Sequence, residues 1–267
     1  MIFQPTQKLV LLAGLICVPL ACGPGNGTSL PKVEEADLAD SVFLAPPVEW
    51  GGSFLICFRF EVTQAEFGAA GLDEEGAVLP VVAVNRRQAQ TWSESLGMRL
   101  PTEIEWLHLR TAGGSERSHN EDANTLELGL AKPLPVGVFE SGRSPLGGYD
   151  FDGNVWEWLA DGEAEGARQI GGSFASYGSR SGSVPVRTAH ESDQASDVGF
   201  RPVADALPWL RLRIEPAWRQ APETERAAFA SAVGRWRPEL RRQLAHNWRT
   251  AYPEALDFAD FLEGSGP

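Results

Sequence analysis

Between Gly147 and Asp161 the chain carries Asp150, Asp152, Asn154 and Glu157, four oxygen-bearing side chains within eight residues. Asp152-Gly153-Asn154 signals a tight turn, and Gly153 lets the backbone bend until its carbonyls point inward. Trp156 and Trp158 put large aromatic faces on one side of an extended segment. Oxygen donors on a turn pinned by buried aromatics meet the needs of a hard cation such as calcium. The same residues also make an ordinary turn whose acidic groups cap backbone amides and face water. Spacing does not choose between the two.

Other reactive side chains are sparse. The four histidines, His108, His119, His190 and His246, show no metal-binding spacing, so a non-haem iron centre has no support. The three cysteines are Cys17, Cys22 and Cys57. Lys8 precedes an uncharged, mostly apolar run from Leu9 to Ala21, too short to span a membrane as a helix and matching a secretory signal. Cleavage before Cys22 leaves only Cys22 and Cys57. With Cys22 acylated, no intrachain disulfide is possible, and Cys57, within Phe54-Leu55-Ile56-Cys57-Phe58, reads as a small buried hydrophobe.

At 267 residues, the chain suits one domain with extensions or two small domains. Its 28 glycines, 19 prolines and 9 tryptophans suit a loop-rich fold with aromatic pegs. Net charge is −13, and loss of Lys8 with the signal makes the mature chain one unit more acidic. Residues 205–267 hold nine arginines and nine acids, so the whole excess lies in residues 22–204. An acidic body argues against nucleic acid and against adsorption to anionic lipid.

The elements that position the central stretch follow from pattern. Residues 30–50 are proline-rich and predict an extended lead-in. Ser53–Val62 alternates as a strand, and Leu79–Val84 reads as an apolar one. Three capping signals open helices: Thr63 with Glu66, Asn85 with Gln88, and Thr102 with Glu105. Ile104, Leu107 and Leu109 are expected to feed a core. Beyond residue 204, Pro222-Glu223, Pro238-Glu239 and Pro253-Glu254 each look like a helix start.

Several stretches resemble one family. Gly147-Gly148-Tyr149-Asp150-Phe151-Asp152-Gly153-Asn154-Val155-Trp156-Glu157-Trp158, with Asp161 following, is similar to the central motif of the sulfatase-modifying-factor, or formylglycine-generating-enzyme, family. Glu61-Val62-Thr63 with Phe67, Arg99-Leu100-Pro101-Thr102-Glu103-Ile104-Glu105-Trp106, Ile170-Gly171-Gly172-Ser173-Phe174 and Val198-Gly199-Phe200-Arg201 extend the resemblance over about residues 42–203. It implies an irregular α+β fold related to C-type lectins, often calcium-bound, here with a small C-terminal helical extension. For calcium it assigns the side chains of Asp150 and Glu157 and the carbonyls of Gly153 and Val155. The family's longer insert in the region 113–133 supplies another calcium site, and Asn124 is the one residue here that aligns with it. Ala21-Cys22 resembles a lipoprotein cleavage site with Cys22 lipidated, although Pro19 stands where leucine is usual. The expected organisation is a signal peptide over 1–21, a linker over 22–41, the family domain over 42–204 and helices over 205–267.

The family's oxidising enzymes carry two cysteines five residues apart after the Gly-Gly-Ser-aromatic motif. These hold Cu(I), activate oxygen and convert a substrate cysteine to formylglycine. Carried over, the positions fall on Ser176 and Ser181. A hydroxyl is a poor Cu(I) ligand, so copper is not expected. A serine hydrolase built from Ser176 or Ser181 with His190 and Asp193 or Asp197 is the alternative, although Ser179–Ser183 reads first as a polar loop. The expectation is an envelope lipoprotein, in the periplasm or outer membrane, anchored through Cys22. It would bind or scaffold an envelope protein or peptide, without nucleic acid and without catalysis. The alternative is an enzyme of the same superfamily with altered chemistry around Ser176, Ser181 and His190.

Overall fold

The computed structural model describes residues 35–49, 52–111, 123–178 and 183–264. The chain opens with α1 (Glu35–Asp40), β1 (Val42–Ala45) and β2 (Leu55–Phe58), then α2 (Gln64–Phe67), α3 (Glu74–Ala77), α4 (Arg86–Ser95) and α5 (Glu103–Thr111). The central stretch supplies β3 (Trp156–Trp158), followed by β4 (Ala167–Ile170), β5 (Val186–Ala189), β6 (Val198–Gly199) and β7 (Val203–Asp205). Helices close the chain: α6 (Ala206–Trp209), a π-helical turn over Leu210–Ile214, α7 (Glu215–Gln220), α8 (Glu223–Gly234), α9 (Pro238–Ala251) and α10 (Leu256–Glu263). This is an α+β fold with two small sheets. One is antiparallel, in the order β1-β2-β7; the other runs β5-β4-β3-β6, with β3 and β6 parallel.

Local chemistry places the helices. Thr63 accepts from the Glu66 amide while the Glu66 carboxylate accepts from the Thr63 amide, closing the expected capping box, and Gly68 ends α2 in the left-handed region. Asn85 and Gln88 do the same for α4, which turns Ala89 and Trp92 into the core. Thr102 and Glu105 exchange the corresponding bonds at α5, and the Asp161 carboxylate accepts from the Glu103 amide at 2.6 Å. That last contact ties the end of the central stretch to the positive end of a helix.

Five expectations need correction. The lead-in is not an extended linker up to residue 41, because Glu35–Asp40 is helical and Leu38 and Ala39 are buried where α1 packs against α8. Leu79–Val84 forms no strand: Ala83 takes φ +56°, a left-handed turn that breaks the extended run. The Ser53–Val62 strand shrinks to Leu55–Phe58, all four residues buried, so its alternation does not sort into a wet and a dry face. Ile104 points outward and is 65% exposed, whereas Leu109 is buried. At Pro253-Glu254 the chain only turns, and α10 begins at Leu256.

The boundary expected after residue 204 runs through β7, which pairs with β2. The terminal helices share the core of the domain. Trp209 Nε1 donates to Leu96 O at 3.0 Å, and Trp236 Nε1 donates to Val42 O at 3.3 Å. One continuous apolar cluster runs from Leu38 to Leu262. Residues 1–34, with Cys22 and the signal, lie outside the described residues.

Candidate functional site

The central stretch enters the core through β3. Trp158 donates its indole N–H to Val84 O at 2.9 Å, and Trp156, Glu157 and Trp158 are all buried. Glu157 lies between the two indoles in sequence and is 1% exposed, so its charge needs partners. Arg201, 0% exposed, provides them: its Nη2 lies 2.8 Å from Glu157 Oε1, and its Nε bridges both carboxylate oxygens at 3.2 Å. Trp106 Nε1 donates to Glu157 Oε2 at 2.8 Å. The remaining guanidinium hydrogens go to the carbonyls of Phe58, Arg59 and Tyr149, and the group lies 4.3 Å over the Phe151 ring. Burial opposes the charge on Arg201, but Glu157 outweighs it and holds the guanidinium protonated.

A second buried acid adjoins this pair. Glu61 accepts from Asn154 Nδ2 at 2.6 Å and from the Val155 amide at 3.1 Å. Asn154 Oδ1 in turn accepts from Asn124 Nδ2 and from the Leu134 amide, both at 3.0 Å. The turn itself is tight. Asp150, Gly153 and Asn154 have φ of +57°, +79° and +56°, and a Cβ at Gly153 would stand 2.4 Å from the Asn124 carbonyl oxygen. Glycine is therefore required at 153.

Asp150 accepts from the Gly137 amide at 2.6 Å, while Asp152 turns to Arg110 at 2.9 Å. Burial pushes the Asp150 carboxyl up to about 6, with the Gly137 bond and Arg201 acting against it. Burial also raises Glu61 well above the usual carboxylate range, reinforced by Asp150 and Glu157. Three carboxylates thus face one guanidinium. Among the described residues no three His, Cys, Asp or Glu side chains converge as a metal-binding group. An ion here would rely on carbonyls as well as carboxylates. Two further oxygens, Asn124 Oδ1 and Thr125 Oγ1, are buried without a donor beside the bridge that Asn124 makes to Gly153.

Of the alternative serine site, Ser176 and His190 are not joined. Ser176 Oγ accepts from the Ser173 amide at 2.7 Å and donates to Ser173 O at 3.2 Å, closing its own turn. His190 is exposed, its Nδ1 bonded to Ser192 Oγ at 2.7 Å and its amide to Asp193 at 3.0 Å. No hydrogen bond joins Ser176 to His190. Asp197 accepts from Ser173 Oγ at 3.0 Å and from Arg187 at 3.4 Å, with no bond to His190. Ser181 lies outside the described residues. Cys57 is buried in β2, and burial pushes its thiol far above the usual range. Sequence reading did not assign roles to Glu61 and Arg201, although both sit in motifs it recognised, nor did it single out Arg187.

Comparison with known proteins agrees with this architecture. The chain matches the sulfatase-modifying factor enzyme 1-like domain over residues 61–206, more than half its length, and it belongs to that family. Hercynine oxygenase of Mycobacterium tuberculosis is 34% identical over 106 residues, 36% of this chain and 24% of that protein. Formylglycine-generating enzyme of Thermomonospora curvata is 29% identical over 173 residues, 48% of this chain and 56% of that protein. The matches therefore span from about a quarter to just over half of these relatives' own lengths. Among solved structures, PvdO from Pseudomonas aeruginosa aligns with a TM-score of 0.47 at 21% identity, over 61% of this chain and 90% of that one.

Proposed function

From its place in this family, we propose that the protein is a non-catalytic member, an envelope-anchored binding or scaffold module. One observation carries the reading: no cysteine occurs anywhere after Cys57, so the loop following Gly172-Ser173-Phe174 has no thiol to offer. The Ser176 hydroxyl is used to close a turn, and a hydroxyl does not hold Cu(I) or give up electrons as a thiolate does. Anchoring through a lipidated Cys22 belongs to the same reading and is tested by mass spectrometry of the native amino terminus. An unmodified start elsewhere removes the anchor.

The activity test incubates the purified protein with copper, oxygen and a cysteine-containing peptide, then follows the peptide mass. No aldehyde is expected. Turnover above a no-protein control overturns the non-catalytic reading.

A structural calcium ion on the central turn is part of the proposal. Asp150 and Glu157 would hold it through side chains, and Gly153 and Val155 through carbonyls. Burial and mutual repulsion push Glu61 and Asp150 toward their neutral forms, and a divalent cation beside them would favour the ionised forms instead. Arg201 and Trp106 already bind both Glu157 oxygens, but a carboxylate has about four lone-pair sites and can be shared. The ion would supply rigidity and charge balance. Calcium should raise the melting temperature of wild type and not that of Asp150→Ala, since it binds the folded state alone. An equal response from both removes the site.

A further inference from the structure

We propose that the stack of Arg187 on Trp156, beside the Gly172–Gly178 loop, is a binding site for a carboxylate group. This rests on the binding-module reading and names the ligand chemistry.

Trp156 is 6% exposed, and its Nε1 is a buried donor that meets no acceptor among the described residues. Buried donors are nearly always paired, because leaving one unmade forfeits its hydration with nothing in return. The indole can only donate, so what completes it must be an acceptor. Directly over the ring, 4.4 Å from its centroid, lies the Arg187 guanidinium. Its Nε donates to Gln169 Oε1 at 2.6 Å, and its Nη2 reaches Asp197 Oδ1 at 3.4 Å. Nη1 donates to no described residue, and the side chain is 37% exposed.

The stack and the Gln169 bond hold the fork in place before any ligand arrives, which lowers the ordering cost of binding. Asp197 offsets part of the charge and takes none of the Nη1 hydrogens. Its contact with Arg187 is long, and its other oxygen accepts from Ser173 Oγ at 3.0 Å. A carboxylate supplies two coplanar acceptors, one for the indole N–H and one for Nη1, and brings the negative charge the guanidinium favours. An amide or hydroxyl of similar size supplies one acceptor without the charge. Binding here is non-covalent and needs no reaction.

The test uses the folded, nitrogen-15-labelled protein. The Trp156 indole signal is identified as the one lost in Trp156→Phe, and the protein is titrated with succinate, with succinamide as the uncharged control. Succinate should displace that signal saturably and succinamide should not. Arg187→Gln should weaken succinate binding by about tenfold or more, as expected for loss of a hydrogen bond to a charged group. Arg187→Lys should fall between, keeping the charge and losing the fork. The other indole signals, unmoved in each variant, report that the fold is intact. No saturable shift, an equal shift with succinamide, or unchanged affinity in Arg187→Gln overturns the site. Aldehyde formation in the peptide assay would remove the non-catalytic reading and leave the succinate result standing; failure of the titration would do the reverse.

Discussion

Arg201–Glu157 in the domain and Arg219–Asp257 in the terminal helices join the same kinds of group in two settings. The first pair is 0% and 1% exposed, meets through three guanidinium contacts and shares its remaining donors among three backbone carbonyls. The second is 38% and 53% exposed and meets fork to fork at 2.5 and 2.6 Å, linking α7 to α10. Good geometry is common to both, and only burial separates them. A buried pair is costly to break because it leaves a charge where water cannot reach, whereas an exposed pair leaves two hydrated ions. The domain therefore depends on particular polar residues, and the helices depend on apolar ones: Trp218, Trp248, Phe258 and Phe261 pack ring on ring between α7, α9 and α10.

The sharpest test of this contrast is Arg201→Met, which leaves Glu157 buried beside Trp106 with no cation. We expect a loss of about 3 to 5 kcal/mol in urea unfolding. Pairing it with Glu157→Leu should recover much of that loss, because the stranded charge is gone. A single mutant as stable as wild type would mean that the pair is solvated after all.

Gly153→Ala should come next. The residue sits at φ +79°, and the new methyl would meet the Asn124 carbonyl oxygen at 2.4 Å. Left-handed strain alone amounts to about 1 to 3 kcal/mol, and the clash adds to it by displacing the bridge. Thermal unfolding measures this, and a shift within error would show that the turn relaxes freely.

These two residues also mark what the sequence made legible. The capping boxes at Thr63, Asn85 and Thr102 were readable because each is complete within four residues. The Asp152-Gly153-Asn154 turn was readable for the same reason. The Glu157–Arg201 pair was not, since its partners lie 44 residues apart and only the fold brings them together. Burial of Leu38 by α8 escaped for the same cause, as did the turn at Ala83, whose amide bonds to Ala195 O. The serine site was legible only as a missing thiol pair. Where Ser176 and His190 point is decided by turns closed through Ser173 and Ser192, which residue type alone does not reveal.

The seam between the two regions should show an intermediate effect. Trp236 donates to Val42 O at 3.3 Å, joining the segment before α9 to β1. Trp236→Phe keeps most of the buried ring and loses the bond, at a cost of about 1 to 2 kcal/mol. Cooperativity provides the finer reading. With one shared core, the transition should stay single and its slope unchanged. A second transition would mean that the terminal helices unfold by themselves.

The smallest effect belongs to Arg219→Ala. Arg219 holds two acids: Asp257 through its fork, and Glu215 through Nε at 2.7 Å. The hydrogen bonds that Arg219 donates to Asp257 and then to Glu215 raise its pKa, but so exposed a group gains little from them in water. Glu215 complicates the comparison, being 2% exposed like Glu157. It has a second cation in Arg211 one turn earlier, which Glu157 lacks, so removing Arg219 does not strand it. The expected loss is therefore within about 1 kcal/mol, and it should shrink further in 1 M salt, where the screening length falls to about 3 Å. Arg201→Met should show almost no salt dependence, because ions do not reach its site. If Arg219→Ala instead costs as much as Arg201→Met and ignores salt, then burial of Glu215 governs both ends of the molecule. The distinction between a polar-tuned domain and an apolar appendage would then fail.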